Sequence, residues 1–126
     1  MDVPANFDLA DGYAFYHPAG QLSIERGTRL VVSAIRYARE QGIKLLLIDV
    51  TGITGLPLPT MLERFRLGEE AARAAQSAVK VAMVAWPEMF DPHSFGVVVA
   101  QNRGLTGRVF ADRIQALAWL LAVGSE

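Results

Sequence analysis

Apolar positions along this chain change their period several times, and each change marks an element. From Ser23 to Gln41 the residues Leu30, Val31, Ala34, Ile35 and Ala38 recur at helical spacing, with Arg29, Arg36, Arg39 and Glu40 on the opposite face. Glu25 with Arg29 and Arg36 with Glu40 are helix-surface partners, Ser23 reads as the helix start, and Gly42 stands where a left-handed cap ends a helix. Ile43 to Val50 then runs apolar without alternation, apart from Lys44 and Asp49, the pattern of a strand covered on both faces of a parallel sheet. Thr51-Gly52-Ile53-Thr54-Gly55 breaks that strand, and Pro57 and Pro59 keep a helix from starting before about Thr60. A second helical stripe follows in Met61, Leu62, Phe65, Gly68, Ala72 and Ala75.

Val79 to Trp86 repeats the buried-strand pattern and stops at Pro87. Asp91-Pro92 has the form of an N-cap followed by a proline in the first turn, which predicts a helix to Asn102. The β-branched run Val97-Val98-Val99 leaves a strand as the alternative there. Arg108-Val109-Phe110 predicts a short strand, and Asp112 to Gln115 has the spacing of a capping box ahead of Ile114, Leu117, Ala118 and Leu121. Near the N-terminus, Tyr13 to His17 reads as a strand closed by Pro18-Ala19-Gly20, while residues 1–11 read as a flexible leader. The order is strand–helix four times over. It predicts one α/β domain over residues 12–126, with a small, mainly parallel four-stranded sheet, βα repeats and helices packed on the sheet.

Composition narrows the function classes. Twelve basic residues against thirteen acidic ones provide no field for a phosphate backbone, which argues against nucleic acid as a partner. The absence of cysteine excludes disulfides, thiol nucleophiles and thiolate metal sites. A hydrophobic share of 52% is high for a small domain, yet no apolar run approaches the ~20 residues of a membrane-spanning helix. Met1 to Ala10 carries Asp2 and Asp8 and no base, unlike a targeting peptide, so a cytoplasmic location is expected.

Ligands of parallel sheets bind outside the carboxyl ends of the strands. That rim collects His17, Asp49, Thr51, Trp86, Glu88, Asp91 and His93. Its two His and three carboxylates are of the types that coordinate a metal or divide acid and base roles, with His17, Asp49 and His93 as a third, catalytic alternative. Their spacing, however, matches no tight pattern such as H-E-x-x-H. Asp49 fits a turn role, accepting from loop amides near Gly52. No phosphate-cradle, nucleophile-elbow or cofactor signature is present, so neither a catalytic residue, a metal nor a cofactor is expected. The apolar surplus around Phe95, Val98, Val99, Trp119 and Leu120 exceeds what so small a sheet needs, and predicts a homodimer or protein-partner surface. A pocket for an apolar ligand, formed by Phe65, Trp86, Phe90 and Phe95, is the alternative use of that surplus.

Three stretches resemble a known family. Lys44 to Thr54, Lys80 to Trp86, and the ending Asn102-Arg-Gly, Arg108-Val-Phe-Ala-Asp112 and Ala116-Leu-Ala-Trp119-Leu are similar to STAS-like domains, bacterial relatives of anti-sigma factor antagonists and sulfate-transporter tails. The resemblance spans about residues 12–122 and lies mostly in hydrophobic pattern and cap residues. It implies a βα superhelix and a non-catalytic regulatory or interaction domain, with the capacity to sense a small ligand. Antagonists of that group carry a phosphorylatable Asp-Ser pair where the loop after the Asp49 strand enters the next helix. Here that stretch is Leu56-Pro57-Leu58-Pro59-Thr60, so the usual phosphoswitch is missing and Thr60 is its only hydroxyl. The rim expected to meet a bound molecule is Asp49, Thr51, Thr54, Thr60, Trp86 and His93.

Overall fold

The computed structural model describes residues 4–91 and 94–122. Its main sheet has five strands: β1 (Phe7–Ala10), β2 (Tyr13–Tyr16), β4 (Leu45–Asp49), β6 (Lys80–Val84) and β7 (Gly107–Phe110), in that spatial order. β1 is antiparallel to β2, and the other neighbours are parallel. Two short strands, β3 (Gly20–Gln21) and β5 (Ile53–Thr54), pair beside it as a separate parallel ribbon. The helices are α1 (Ile24–Glu40), α2 (Met61–Ala75), α3 (Phe95–Asn102) and α4 (Arg113–Leu121), and one 3-10 turn spans Pro87–Met89. No helix among the described residues is long and apolar enough to cross a membrane.

The α/β class and the parallel core match the sequence pattern; the strand count does not. Residues 7–10, expected within a flexible leader, form an edge strand. Asp11-Gly12 turns the chain between the Ala10–Tyr13 pair, with Gly12 at φ 86°, and Phe7 is buried against the rings of Tyr16 and Tyr37 at 6.1 and 5.1 Å. Of the helix expected from Asp91 to Asn102, Phe95–Asn102 is helical, directly after Ser94, whose backbone takes a left-handed conformation. Asp91 still caps it, its carboxylate accepting from the Phe95 amide. Ser23 caps α1 through the Arg26 amide, Asp112 caps α4 through the Ile114 amide, and Gly42 follows α1 at φ 74°.

Strands added in one direction through right-handed crossovers carry all their connecting helices on one face. Alternation along the strands bears this out. Leu46, Ile48 and Val81 share a core with α1, α2 and Ala100 of α3, whereas Leu47, Ala82 and Val84 pack under Ala116 and Leu120 of α4. Three helices therefore crowd one face and a single helix covers the other.

That crowding is resolved where α2 meets α3. A side-chain carbon on Gly68 would lie 2.4 Å from the Gly96 carbonyl oxygen, and one on Gly96 would lie 3.0 Å from the Arg64 carbonyl oxygen. The two backbones are in contact, and only glycine permits it at Gly68. Gly68→Ala is expected to destabilise the fold by about 1–3 kcal/mol, the usual range for overpacking, with a smaller loss for Gly96→Ala. Urea unfolding of both variants measures this, and an unchanged midpoint for Gly68→Ala would contradict the crossing.

Candidate functional site

Two places in this fold have the makings of a site, one on each face of the sheet. The first is at the carboxyl end of β4. Asp49 has the same parity as Leu45 and Leu47, so it points toward α4, and it is the only buried charged side chain among the described residues, 5% exposed. One carboxylate oxygen accepts from the Thr51 amide at 2.9 Å and the Thr51 hydroxyl at 2.6 Å. The other accepts from the Arg113 guanidinium at 2.7 Å, and that guanidinium also covers the Phe15 ring, 4.6 Å from its centroid. Burial pushes the Asp49 carboxyl up. The Thr51 hydroxyl, the Arg113 guanidinium, the Thr51 amide and the charge of Arg113 together outweigh it and hold the pKa below the ordinary carboxylate value.

Of the expected rim, the structure brings together Asp49, Thr51 and Trp86, whose indole N–H donates to the Thr51 carbonyl at 3.1 Å. Thr54 is engaged in the β3–β5 ribbon. Thr60 caps α2: its hydroxyl accepts from the Glu63 amide while its own amide donates to the Glu63 carboxylate at 2.8 Å. The hydroxyl at the expected phospho-position is thus part of a capping box. His17 bonds Asp8 on β1 at 2.8 Å and stacks on Phe15. His93 lies outside the described residues. Among the described residues no three His, Cys, Asp or Glu side chains are placed to hold a metal.

The second place is on the crowded face. α1, α2, α3 and the sheet line a cavity of about 510 Å³ that opens to solvent. Val31 and Ile35 of α1 and Leu67 and Ala71 of α2 form one wall, and Val97 and Ala100 of α3 another. Val81, Met83 and Val109 form the floor. Phe90 and Val98 line the cavity while remaining part exposed, so they stand at its mouth. A smaller recess of about 140 Å³ adjoins it, sharing Leu56 and Met89 and reaching Trp86. Of the aromatic pocket expected from sequence, only Phe90 lines the main cavity. Phe65 and Phe95 stack on each other at 6.4 Å, and Trp86 belongs to the recess.

The surface expected around α3 and α4 is smaller than the sequence suggested. Val99 and Leu120 are buried by the chain itself, at 6% and 1% exposure, and offer nothing to a partner. Trp119 is half-buried, packed on Phe110 and under the ammonium of Lys80, which also donates to the Trp119 carbonyl at 2.8 Å. Phe95 and Val98 remain accessible in part. The exposed apolar side chains instead include Leu58, Met61 and Leu62 around the start of α2, and Ile114 and Leu121 on α4. Sequence reasoning missed Arg113 and Arg64. The signal for Arg113 was the odd parity of Asp49, which put its carboxylate on the face that the last helix covers.

Because the folded pKa of Asp49 lies below the unfolded value of about 3.9, its stabilisation is complete above that value and is lost as pH falls through the folded pKa. Asp49→Asn should therefore cost about 1–3 kcal/mol at neutral pH, and the gap from wild type should close in acid. Urea unfolding at steps from pH 7 down through the acid range checks this; a gap that does not narrow as the pH falls would show that the loss is not one of charge.

No protein-family model matches this chain, and no curated protein matches it significantly.

Proposed function

We propose that this chain is a non-catalytic module that binds a small, mainly apolar ligand in the cavity between its three crowded helices and the sheet. One observation carries the reading: about 510 Å³ of space with an apolar lining, within the usual range for ligand pockets. The space opens to solvent at Phe90 and Val98, and an apolar ligand gains most from such a lining.

The STAS-like resemblance agrees with this reading in outline. Strands β2, β4, β6 and β7 are laid side by side in chain order, as a βα superhelix requires, and the role would be sensing or carrying rather than turnover. Met83→Trp, which fills the cavity from its floor, should lower the affinity for a neutral apolar dye such as Nile red at least tenfold while leaving the circular dichroism spectrum native. Undiminished dye binding would reject the cavity as the site.

A homodimer is the second reading, supported by the apolar stripe of Leu62, Phe65, Phe95 and Val98, which are neighbours by helical spacing and by the stacking of the two rings. Light scattering should then give twice the chain mass for wild type and the single mass for Leu62→Glu. A wild-type monomer at high concentration would remove this reading.

A further inference from the structure

Resting on the cavity reading, we infer that the ligand is an apolar carboxylic acid, bound as its anion with the carboxylate at Arg64. Arg64 is half-buried in the second turn of α2 and lines the cavity. Its guanidinium donates to the Met89 carbonyl at 3.0 Å, which places it against the 3-10 turn that closes that end. A guanidinium carries five N–H donors in a planar fork suited to a carboxylate, and a neutral carbonyl occupies one side of it. No carboxylate of the described residues lies within 4.0 Å of Arg64, although two acidic side chains line the same cavity.

Those two acids have other duties. The Glu63 carboxylate holds the Thr60 amide, and the Asp91 carboxylate holds the Phe95 amide. The remaining lining cation, Arg108, has its guanidinium over Phe110 and Trp119 on the α4 side of the sheet, at 5.2 and 5.9 Å from the ring centroids. Arg64 is therefore the cation left to meet a charge brought by the ligand. An apolar body with a single carboxylate satisfies both the lining and the charge.

The test compares decanoate with decanol, which share a chain and differ in the head, by calorimetry on the whole protein at pH 7.5. Decanoate should bind wild type at least tenfold more tightly than decanol. Arg64→Gln should remove that preference, leaving decanol affinity unchanged, and Arg64→Lys should restore part of it. If decanol binds wild type as tightly as decanoate, or if folded Arg64→Gln keeps the preference, the carboxylate inference is overturned and the apolar cavity stands. If neither compound binds wild type, the cavity reading falls with it. Should Arg64→Gln fail to fold, raised salt on wild type substitutes for it: the decanoate preference should shrink, and a salt-independent preference overturns the role of the charge.

Discussion

The contact of α2 with α3 through Gly68 and Gly96 is the constraint from which the rest of the helical face follows. Right-handed crossovers send three helices to one side of a narrow sheet, and the third has to fit where the second already lies. Backbone contact is the solution. The helices approach through their glycines, and the inner face of α2 continues in Ala71, Ala72, Ala74 and Ala75, which fill little volume. α3 is short and leans on α2, while Val81, Met83 and Val109 below it leave space unfilled. The cavity is thus a consequence of how the crossing is made, and the same crossing holds Gly96 against the Arg64 backbone.

The opposite face obeys a different rule. A single helix covers it, and its polar fixtures sit at the two ends of α4. Arg113 at the start of α4 meets Asp49 at the end of β4, and Lys80 at the start of β6 reaches carbonyls at the end of α4. A buried carboxylate is tolerated here because its hydrogen bonds and a cation partner replace the water it has lost. Strand parity decides this placement. Leu46 and Ile48 fall on the helical core, so Asp49 cannot.

Much of this was legible from the sequence because it rests on local signals. The continuous run from Leu45 to Ile48, the stripe in α1 and the caps Ser23 and Asp112 each act through neighbours a few residues away. The first strand was legible in principle. Asp11-Gly12 is a favoured hairpin dipeptide, but Phe7 and Leu9 are too few apolar residues to compete with the polar ones around them, and Phe7 is anchored by Tyr37 from another element. The Asp49–Arg113 bond spans 64 residues, and no local spacing encodes it. The surplus around Val99 and Leu120 was misread for the same reason. Val99 belongs to the helix that packs on α2, and Leu120 packs on the β4–β6 face, and the sequence order leaves both placements open.

Segregation of the two faces also explains why the expected rim divides. A rim drawn at the strand ends groups residues by position along the strand, whereas their side chains obey parity and go to opposite sides. Asp49 goes to the α4 side, while Val50 and Ala85, immediately beyond the strands, line both the cavity and its recess. The two faces meet at the turns after β4 and β6. There the Trp86 indole reaches the Thr51 carbonyl, and Thr51 in turn holds Asp49. An apolar cavity and a buried ion pair share one small domain because the sheet keeps them apart. Each needs what the other would spoil: the cavity its mainly apolar lining, and the carboxylate a cation with ordered donors around it.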